Sequence, residues 1–296
     1  MRTRHFAAIA AAAAIAVSLA ACAGDGDGNG DGNGATPDAT QFEAGTTMAR
    51  INEAQSLRVG TKFDQPGFGQ VGLSEDPEGF DVEIAKIIAG ELGVPEENVE
   101  WTEAQSAVRE DLIESGDVDI VVATYTINDE RKERIDFAGP YYIAGQHIMV
   151  RADDDSITGP ESFEAGDKTV CTVTGSTPAE NIQDYLANVD EQLVLFGGYQ
   201  ECVDALAAGD VDAVTTDNVI LLGFIATNEG QYKLAGQAFT EEPYGIGVAK
   251  GDDAFRDFIN DVLEEIVADG RYNGAWEATA GQFDPNLPTP PTVDRY

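Results

Sequence analysis

Basic side chains are scarce in this chain. Lys and Arg together number 17 against 54 Asp and Glu, which gives a formal net charge of -37 at pH 7. Proteins that bind nucleic acids present a basic surface to the phosphates, so this composition argues against nucleic-acid partners. The acidity is more consistent with solubility, and any site for an anion has to bring the few cations together.

Histidine and nucleotide-binding motifs are also scarce. His147 is the one histidine outside the N-terminal segment, and a histidine within a strand is favoured there over a general base. The sequence contains no P-loop motif. Gly67–Gly72 matches the spacing of the dinucleotide fingerprint, but a loop from Leu73 to Gly79 follows where that motif needs a helix. We therefore predict no cofactor, no metal and no catalytic residues.

The N-terminus has the pattern of an export signal. Arg2 and Arg4 precede an apolar run from Phe6 to Ala21, which is shorter than the about 20 residues of a spanning helix. Leu19–Cys22 resembles the bacterial lipobox, in which the cysteine becomes the lipidated first residue. This predicts a signal peptide over 1–21 and lipidation of Cys22; a plain cleaved signal and an uncleaved anchor are the alternatives.

Residues 22–40 are predicted to form the lipid anchor and a flexible tether. After Cys22 they are almost entirely Gly, Asp, Asn, Ala and Thr, so they cannot bury apolar area. Asp25, Asp27 and Asn29 imitate the start of a calcium loop. However, Thr36 occupies the twelfth position, where such a loop needs a bidentate glutamate, and calcium is not predicted.

Three cysteines occur in the sequence. If Cys22 carries lipid, Cys171 and Cys202 remain as an even pair. Outside the cytoplasm such a pair is expected to be oxidised to a disulfide. Two buried free thiols are the alternative.

Strands and helices alternate from Leu57 onward, which indicates an α/β protein with parallel sheets. Gly-Asp-Val-Asp occurs at both 116–119 and 209–212, each time between a helix and an apolar strand, and this suggests two similar lobes. Ligands of open α/β sheets bind outside the carboxyl ends of the strands, so a cleft between the lobes is expected there. The alternative is that this tetrapeptide is merely a common turn. The predicted elements are strands at 57–61, 118–124, 169–173, 194–196 and 211–216, and helices at 81–92, 108–116, from 178, 199–208 and 255–270.

Three segments carry polar groups suited to a small zwitterion. Arg131 follows the acceptor-rich segment 124–130, and a guanidinium fork fits a carboxylate, although 131–134 could also be a solvated helix face. Asp217 follows an apolar strand, where its carboxylate could hold an ammonium group or cap the helix from Val219.

The third segment is a predicted helix start. Thr177 is the predicted N-cap, Pro178 occupies the first helical position, and Glu180 completes a capping box. The free N–H groups and the helix dipole make such a start a site for an anion. An ordinary capped helix is the alternative.

At this point a family resemblance appears. The run from Leu57 to about Asp284 resembles the polar-amino-acid branch of the bacterial extracellular solute-binding proteins, family 3. Within that branch it is most similar to the glutamate-binding lipoproteins of actinobacterial ABC importers. The matching stretches are Gly60–Gly67, Gly79–Val82, Ala123–Arg131, Ser176–Ala179 and Tyr244–Gly247, together with the positions of Cys171 and Cys202.

The resemblance implies an α/β, two-lobed, periplasmic-binding-protein-like fold of type II with two hinge strands. Lobe 1 would contain residues 41–145 and 242–296, and lobe 2 residues 146–241. The implied partners are an amino acid and the permease and ATPase subunits of an importer on separate chains. The chain itself would be a monomer at the extracytoplasmic face of the cell membrane, held there by its lipid.

The resemblance also implies where an amino acid would bind. Arg131 would hold the α-carboxylate, helped by Thr126 and by the backbone at Ser176 and Thr177.

For the other two charges, Asp217 and the Thr124 carbonyl would hold the ammonium group. Lys62 and Arg109 would hold a distal carboxylate. Many family members have Thr at the position of Asn128, which leaves the shape of that loop open but does not affect the arginine.

The predicted function is reception of an acidic amino acid, L-glutamate, without catalysis. Glutamine or aspartate as the ligand is the nearest alternative, and a dehydratase-like enzyme on the same fold is the alternative from another class.

Overall fold

The computed structural model describes residues 42–73, 76–284 and 286–296. The described residues belong to one compact unit. The predicted signal peptide, the predicted lipidation site Cys22 and the predicted tether to residue 40 lie outside them. Among the described residues, no helix is both long and apolar enough to span a membrane.

The strands of the described residues are short and distributed along the whole chain. In order they are β1 Leu57–Thr61, β2 Asp64–Gln65, β3 Gly69–Val71, β4 Pro77–Glu78, β5 Val99–Glu103, β6 Ile120–Val121, β7 Asp136–Ala144, β8 Gln146–Arg151, β9 Val170–Val173, β10 Leu193–Phe196, β11 Ala213–Asp217, β12 Tyr232–Ala235 and β13 Glu242–Val248.

The α-helices alternate with these strands. They are α1 Thr47–Ala54, α2 Phe80–Glu91, α3 Arg109–Glu114, α4 Asp129–Arg134, α5 Thr177–Asn181, α6 Val189–Gln192, α7 Tyr199–Ala208, α8 Asn218–Thr227, α9 Asp253–Asp269 and α10 Arg271–Ala278. Five single turns of 3-10 helix lie at Glu96–Asn98, Ser106–Val108, Pro160–Phe163, Ile182–Tyr185 and Ala280–Gln282.

Two five-stranded sheets share one plan. The first sheet has the order β5-β1-β6-β13-β7, and the second has the order β10-β9-β11-β8-β12. In each sheet the first three strands are parallel, and the fourth strand is antiparallel to both of its neighbours. The carboxyl ends of the parallel strands are therefore the natural place for a ligand in both sheets.

The antiparallel strand of each sheet enters from the other sheet. β7 belongs to the first sheet and continues through Gly145 into β8 of the second. After β12 of the second sheet, the chain returns as β13 of the first. Two segments thus connect the sheets.

An aromatic cluster anchors the β2–β3 hairpin to the first sheet. Phe68 lies between the two strands of the hairpin and is 1% exposed. Its ring packs edge-on against Phe80, Tyr142 and Trp276, with centroids 5.8 to 6.3 Å away. The hairpin is therefore fixed to this part of the molecule by its own core residue.

Most predicted elements are found close to where the sequence placed them. The strand at 57–61 and the helix at 199–208 match in full, and α9 ends at Gly270, which adopts the left-handed conformation of a helix C-cap. The predicted strand 118–124 is wrong in extent, because only Ile120–Val121 is a strand. The rest of that buried run leaves the sheet to reach Thr124, whose φ is 44°.

The predicted disulfide is confirmed. Cys171 in β9 is bonded to Cys202 in α7, with 5.5 Å between the Cα atoms. The bond ties the strand that leads to the α5 helix start to the helix that packs behind it.

Candidate functional site

The candidate residues gather at the carboxyl ends of the parallel strands. Lys62 follows β1, Arg109 starts α3 after β5, and Thr124 follows β6. On the second sheet, Ser176 follows β9 and Asp217 ends β11. The topology thus places polar groups from both sheets at the edge where ligands of such sheets bind.

Three of these side chains form a cluster of buried cations. Lys62, Arg109 and Arg131 are 4%, 2% and 7% exposed. Burial, reinforced by Arg109, lowers the pKa of Lys62 to about 7. Burial, reinforced by Arg131, lowers the pKa of Arg109 to about 10. Like charges held together out of water disfavour one another, so an anion placed among them would be strongly stabilised.

A tyrosine ring supports both arginines. The guanidinium carbon of Arg109 lies 3.9 Å from the centre of the Tyr125 ring, and that of Arg131 lies 5.1 Å from it. A cation over an aromatic face is attracted by the ring quadrupole, and this attraction is larger when water is excluded. Tyr125 is fully buried and thereby fixes the two guanidinium groups relative to each other.

Hydrogen bonds fix the orientation of the Arg131 guanidinium. Its Nη1 donates to the Thr126 carbonyl at 2.7 Å, and its Nη2 donates to the Gly175 carbonyl at 3.2 Å. Its Nε lies 3.3 Å from Glu110 Oε1. A guanidinium has five N–H groups, so one N–H remains on each terminal nitrogen, which is the arrangement that a bidentate carboxylate needs. A cavity of about 170 Å³ beside Arg131 is lined by Glu110, Glu130 and Glu180 and by none of Lys62, Arg109 and Asp217.

Asp217 supplies the opposite charge. Its Oδ2 accepts a hydrogen bond from the Tyr244 hydroxyl at 2.5 Å, and its Oδ1 is buried with no hydrogen-bond partner. Burial, reinforced by the charge of Glu242, raises the pKa of Asp217 to about 7. The residue occupies the N-cap position of α8, yet its side chain makes no capping hydrogen bond. A buried carboxylate oxygen without a donor is costly unless a cation or donor reaches it.

The predicted cap of α5 is wrong by one residue. Ser176 is the N-cap, because its hydroxyl accepts from the Ala179 N–H at 3.2 Å, and the helix begins at Thr177. Pro178 is accordingly the second helical residue rather than the first. The shift frees the Thr177 hydroxyl, which donates to the Thr126 hydroxyl at 3.2 Å and so connects the second sheet to the first.

Asp81 is a residue of the site to which the sequence assigned no role. It is fully buried, and its Oδ2 accepts from the Thr124 N–H at 2.7 Å, while its Oδ1 accepts from the Tyr141 hydroxyl at 2.6 Å. Burial raises the pKa of Asp81 to about 7. The carboxylate holds Thr124 in its unusual backbone conformation. The available signal in the sequence was an aspartate in the first turn of a helix that was predicted to have an apolar face.

His147 lies in β8, as expected for a strand histidine. Its Nδ1 accepts from the Ile148 N–H at 2.9 Å, and burial lowers its pKa. The ring therefore forms its hydrogen bond with the adjacent backbone.

The fold and the site together define a class. Two α/β lobes joined by two crossing segments meet at a cluster of buried charges of both signs, as in two-lobed binding proteins of type II. The family model described as bacterial extracellular solute-binding proteins, family 3, matches residues 57–277. The chain belongs to this family.

Individual relatives are also similar to most of the chain. The chain is 41% identical over 239 residues to the glutamate-binding protein GluB of Corynebacterium efficiens, which covers 78% of this chain and 80% of that one. It is 38% identical to the ABC transporter glutamine-binding protein GlnH of Bacillus subtilis, over 81% of this chain and 86% of that one. Among solved structures, an ancestral arginine-binding protein bound to glutamine is similar, with a TM-score of 0.71, 36% identity, and coverage of 76% of this chain and 97% of that one.

Proposed function

We propose that this chain is the receptor of an ABC importer for an acidic amino acid, L-glutamate. One observation carries the proposal: Lys62, Arg109 and Arg131 are buried together, and the two arginines lie within electrostatic range of the buried Asp217 carboxylate, which has one unpartnered oxygen. L-Glutamate has the matching charges, which are two carboxylates and one ammonium group. Its relative GluB supports the same ligand.

The α-carboxylate is assigned to Arg131. Its two remaining terminal N–H groups form a fork, and the hydroxyls of Thr126 and Thr177 lie beside it. The backbone N–H group of Thr177 opens α5 and adds a donor there, whereas the Ser176 N–H donates to the Val173 carbonyl at 3.2 Å. The ligand would therefore contact both lobes through one group.

The ammonium group is assigned to Asp217 Oδ1 and the Thr124 carbonyl. The missing partner of Oδ1 supports this assignment. The distal carboxylate is assigned to Lys62 and Arg109, because both are buried beside the arginine that would hold the α-carboxylate.

Closure of the two lobes would be the mechanism. A ligand favours one conformation only by interacting better with it, and a ligand that joins both lobes does so when they are closed. We propose lobe boundaries at 41–145 with 242–296 for the first lobe, and 146–241 for the second. The changes of sheet at Gly145 and between β12 and β13 support them.

Calorimetry with L-glutamate and L-glutamine tests the ligand. We expect Arg131→Ala to abolish binding of both, since each has an α-carboxylate. Lys62→Met should weaken L-glutamate by about tenfold or more and L-glutamine much less, since only the former has a distal charge. Equal losses for the two ligands would contradict the assignment of Lys62, and unchanged affinity of Arg131→Ala would overturn the site.

Glutamine is the second candidate, because GlnH is named for it. Tighter binding of L-glutamine than of L-glutamate by the wild-type protein would show that glutamine is the ligand. The dehydratase-like alternative is tested by incubating the protein with small cyclic acids. We propose a binding function without turnover, and product formation would refute that.

We also propose that the chain is exported and lipidated at Cys22, remains at the outer face of the cell membrane as a monomer, and works with a separate permease and ATPase. Radioactive palmitate should label the wild type and not Cys22→Ala. A wild-type protein that takes up no label would contradict lipid anchoring.

A further inference from the structure

The β2–β3 hairpin of the first lobe reaches the second lobe beside the charged cluster, and its Asp64 carboxylate lies within electrostatic range of Lys62. Asp64 pairs with Gln70, and Gln65 pairs with Gly69. Because Phe68 is buried in the first lobe, the hairpin is a rigid projection of that lobe. Its outer residues meet the start of α7 and the middle of α8, two helices of the second lobe.

Asp64 caps a helix of the other lobe. Its Oδ2 accepts from the Tyr199 N–H at 2.6 Å and lies 3.4 Å from the Gln200 nitrogen. The N-cap residue of α7 is Gly198, which has no side chain to supply this acceptor. A carboxylate at the start of a ten-residue helix satisfies orphan N–H groups and interacts favourably with the helix dipole. This stabilisation exists only while the lobes are together.

Two second-lobe glycines allow the hairpin to approach. A Cβ on Gly198 would lie 2.7 Å from Asp64 Oδ2, and a Cβ on Gly223 would lie 2.4 Å from the Pro66 carbonyl oxygen. Gly198 has a φ of -133°, and Gly223 lies inside α8, so neither backbone conformation requires glycine. Glycine is the poorest ordinary residue inside a helix. The close approach is therefore the physical reason for these glycines.

We propose that Asp64, Pro66, Gly198 and Gly223 form an interlobe latch that stabilises the closed receptor without contacting the ligand. Asp64 is a positioning residue in this latch. The inference rests on the proposed function in one respect, which is that closure accompanies ligand binding. Because the latch does not contact the ligand, its hydrogen bonds and close packing raise the affinity for every ligand by the same factor and act mainly on the rate of release. The charge of Asp64 acts in addition on Lys62, and therefore only on a ligand with a distal charge.

Substitution of Asp64 tests the latch. We expect Asp64→Ala to weaken L-glutamine, whose side chain carries no charge for Lys62 to meet, by about fivefold, which is the effect of losing one helix cap, and to raise its dissociation rate. Asp64→Asn keeps an acceptor oxygen and should recover most of that affinity. Asp204→Ala removes an exposed carboxylate from the same helix and should leave the affinity unchanged. No loss of L-glutamine affinity in Asp64→Ala would overturn the latch.

Gly223→Ala distinguishes the loss of the latch from a general loss of stability. Alanine favours the isolated helix, so the ligand-free protein should unfold at the same or a higher temperature, while affinity falls at least tenfold because the added Cβ meets the Pro66 carbonyl. Unchanged affinity would overturn the proposed contact.

Lobe separation gives a readout that does not depend on which amino acid binds. Spin labels at Glu53→Cys and Asp184→Cys, in a Cys22→Ser background, report the distance between the lobes by electron resonance. In the labelled protein that keeps Asp64, an amino acid that shortens the distance between the two labels is identified as the ligand. If that amino acid is not L-glutamate, the proposed ligand is wrong, and the latch is then measured with the amino acid that binds. Asp64→Ala should need about fivefold more of that ligand for half closure, and an unchanged requirement refutes the latch.

Discussion

Asp217→Asn should separate the closure of this receptor from its ligand binding. With the lobes together, the protein buries a carboxylate whose Oδ1 has no donor and whose pKa burial raises to about 7. When the lobes are apart, water reaches the same group, and it ionises near its ordinary value. An asparagine keeps an oxygen for the Tyr244 hydroxyl and removes the charge. We expect the variant to close more readily at neutral pH without a ligand and to be unable to hold an ammonium group.

The magnitude follows from the pKa of Asp217. A rise of about three units corresponds to about 4 kcal/mol at pH values above 7. Because the pKa is raised on closure, the closed state keeps its full stability below about pH 4 and loses it as the pH rises to about 7. Relative to the open state, the closed state of the wild type should therefore lose up to about 4 kcal/mol more across this range than that of the variant.

Spin labels at Glu53→Cys and Asp184→Cys measure this difference in both proteins without ligand at about pH 5 and about pH 8. The closed fraction of Asp217→Asn should exceed that of the wild type by more at the higher pH, and calorimetry should show at least about a hundredfold loss of L-glutamate affinity. Asp81 also has a raised pKa, but it is present in both proteins and cancels. A variant that is less closed than the wild type at both pH values, or that binds normally, would refute the reasoning.

Three further predictions concern single interactions. Tyr244→Phe removes the 2.5 Å hydrogen bond to Asp217, so the pKa of that carboxylate should rise further and L-glutamate affinity near pH 7 should fall by about tenfold, recovering at higher pH; calorimetry against pH tests this. Replacing Cys171 and Cys202 by serine should lower the free energy of unfolding by about 3–4 kcal/mol in urea titrations, a change that a reducing agent should reproduce in the wild type. Asp119→Asn should destabilise by about 3 kcal/mol above about pH 4 and progressively less as the pH falls through the lowered pKa of this carboxyl, which two arginines hold down despite its burial; equal losses at about pH 6 and about pH 2 would contradict that reason.

Local sequence patterns predicted elements whose causes lie within a few residues. α9 combines apolar residues at helical spacing with a glycine stop at Gly270, and it forms with those bounds to within two residues. The α5 start shows the limit of such reasoning. Ser, Thr and Pro in succession allow two registers, and the choice of Ser176 as cap depends on where Thr177 meets Thr126 of the other lobe.

The sequence by itself determined the class of this protein: the alternation of strands and helices, the scarcity of cations, the pair of cysteines, and the family to which it belongs. Only the tertiary structure decided which polar atoms have hydrogen-bond partners. Asp64 and Tyr199 are 135 positions apart, and Asp81 and Thr124 are 43 apart. No periodicity links such pairs, because they meet only after both sheets have formed and the chain has crossed between them twice. The cost of burying each charge, and therefore what the site can bind, depends on these distant partners.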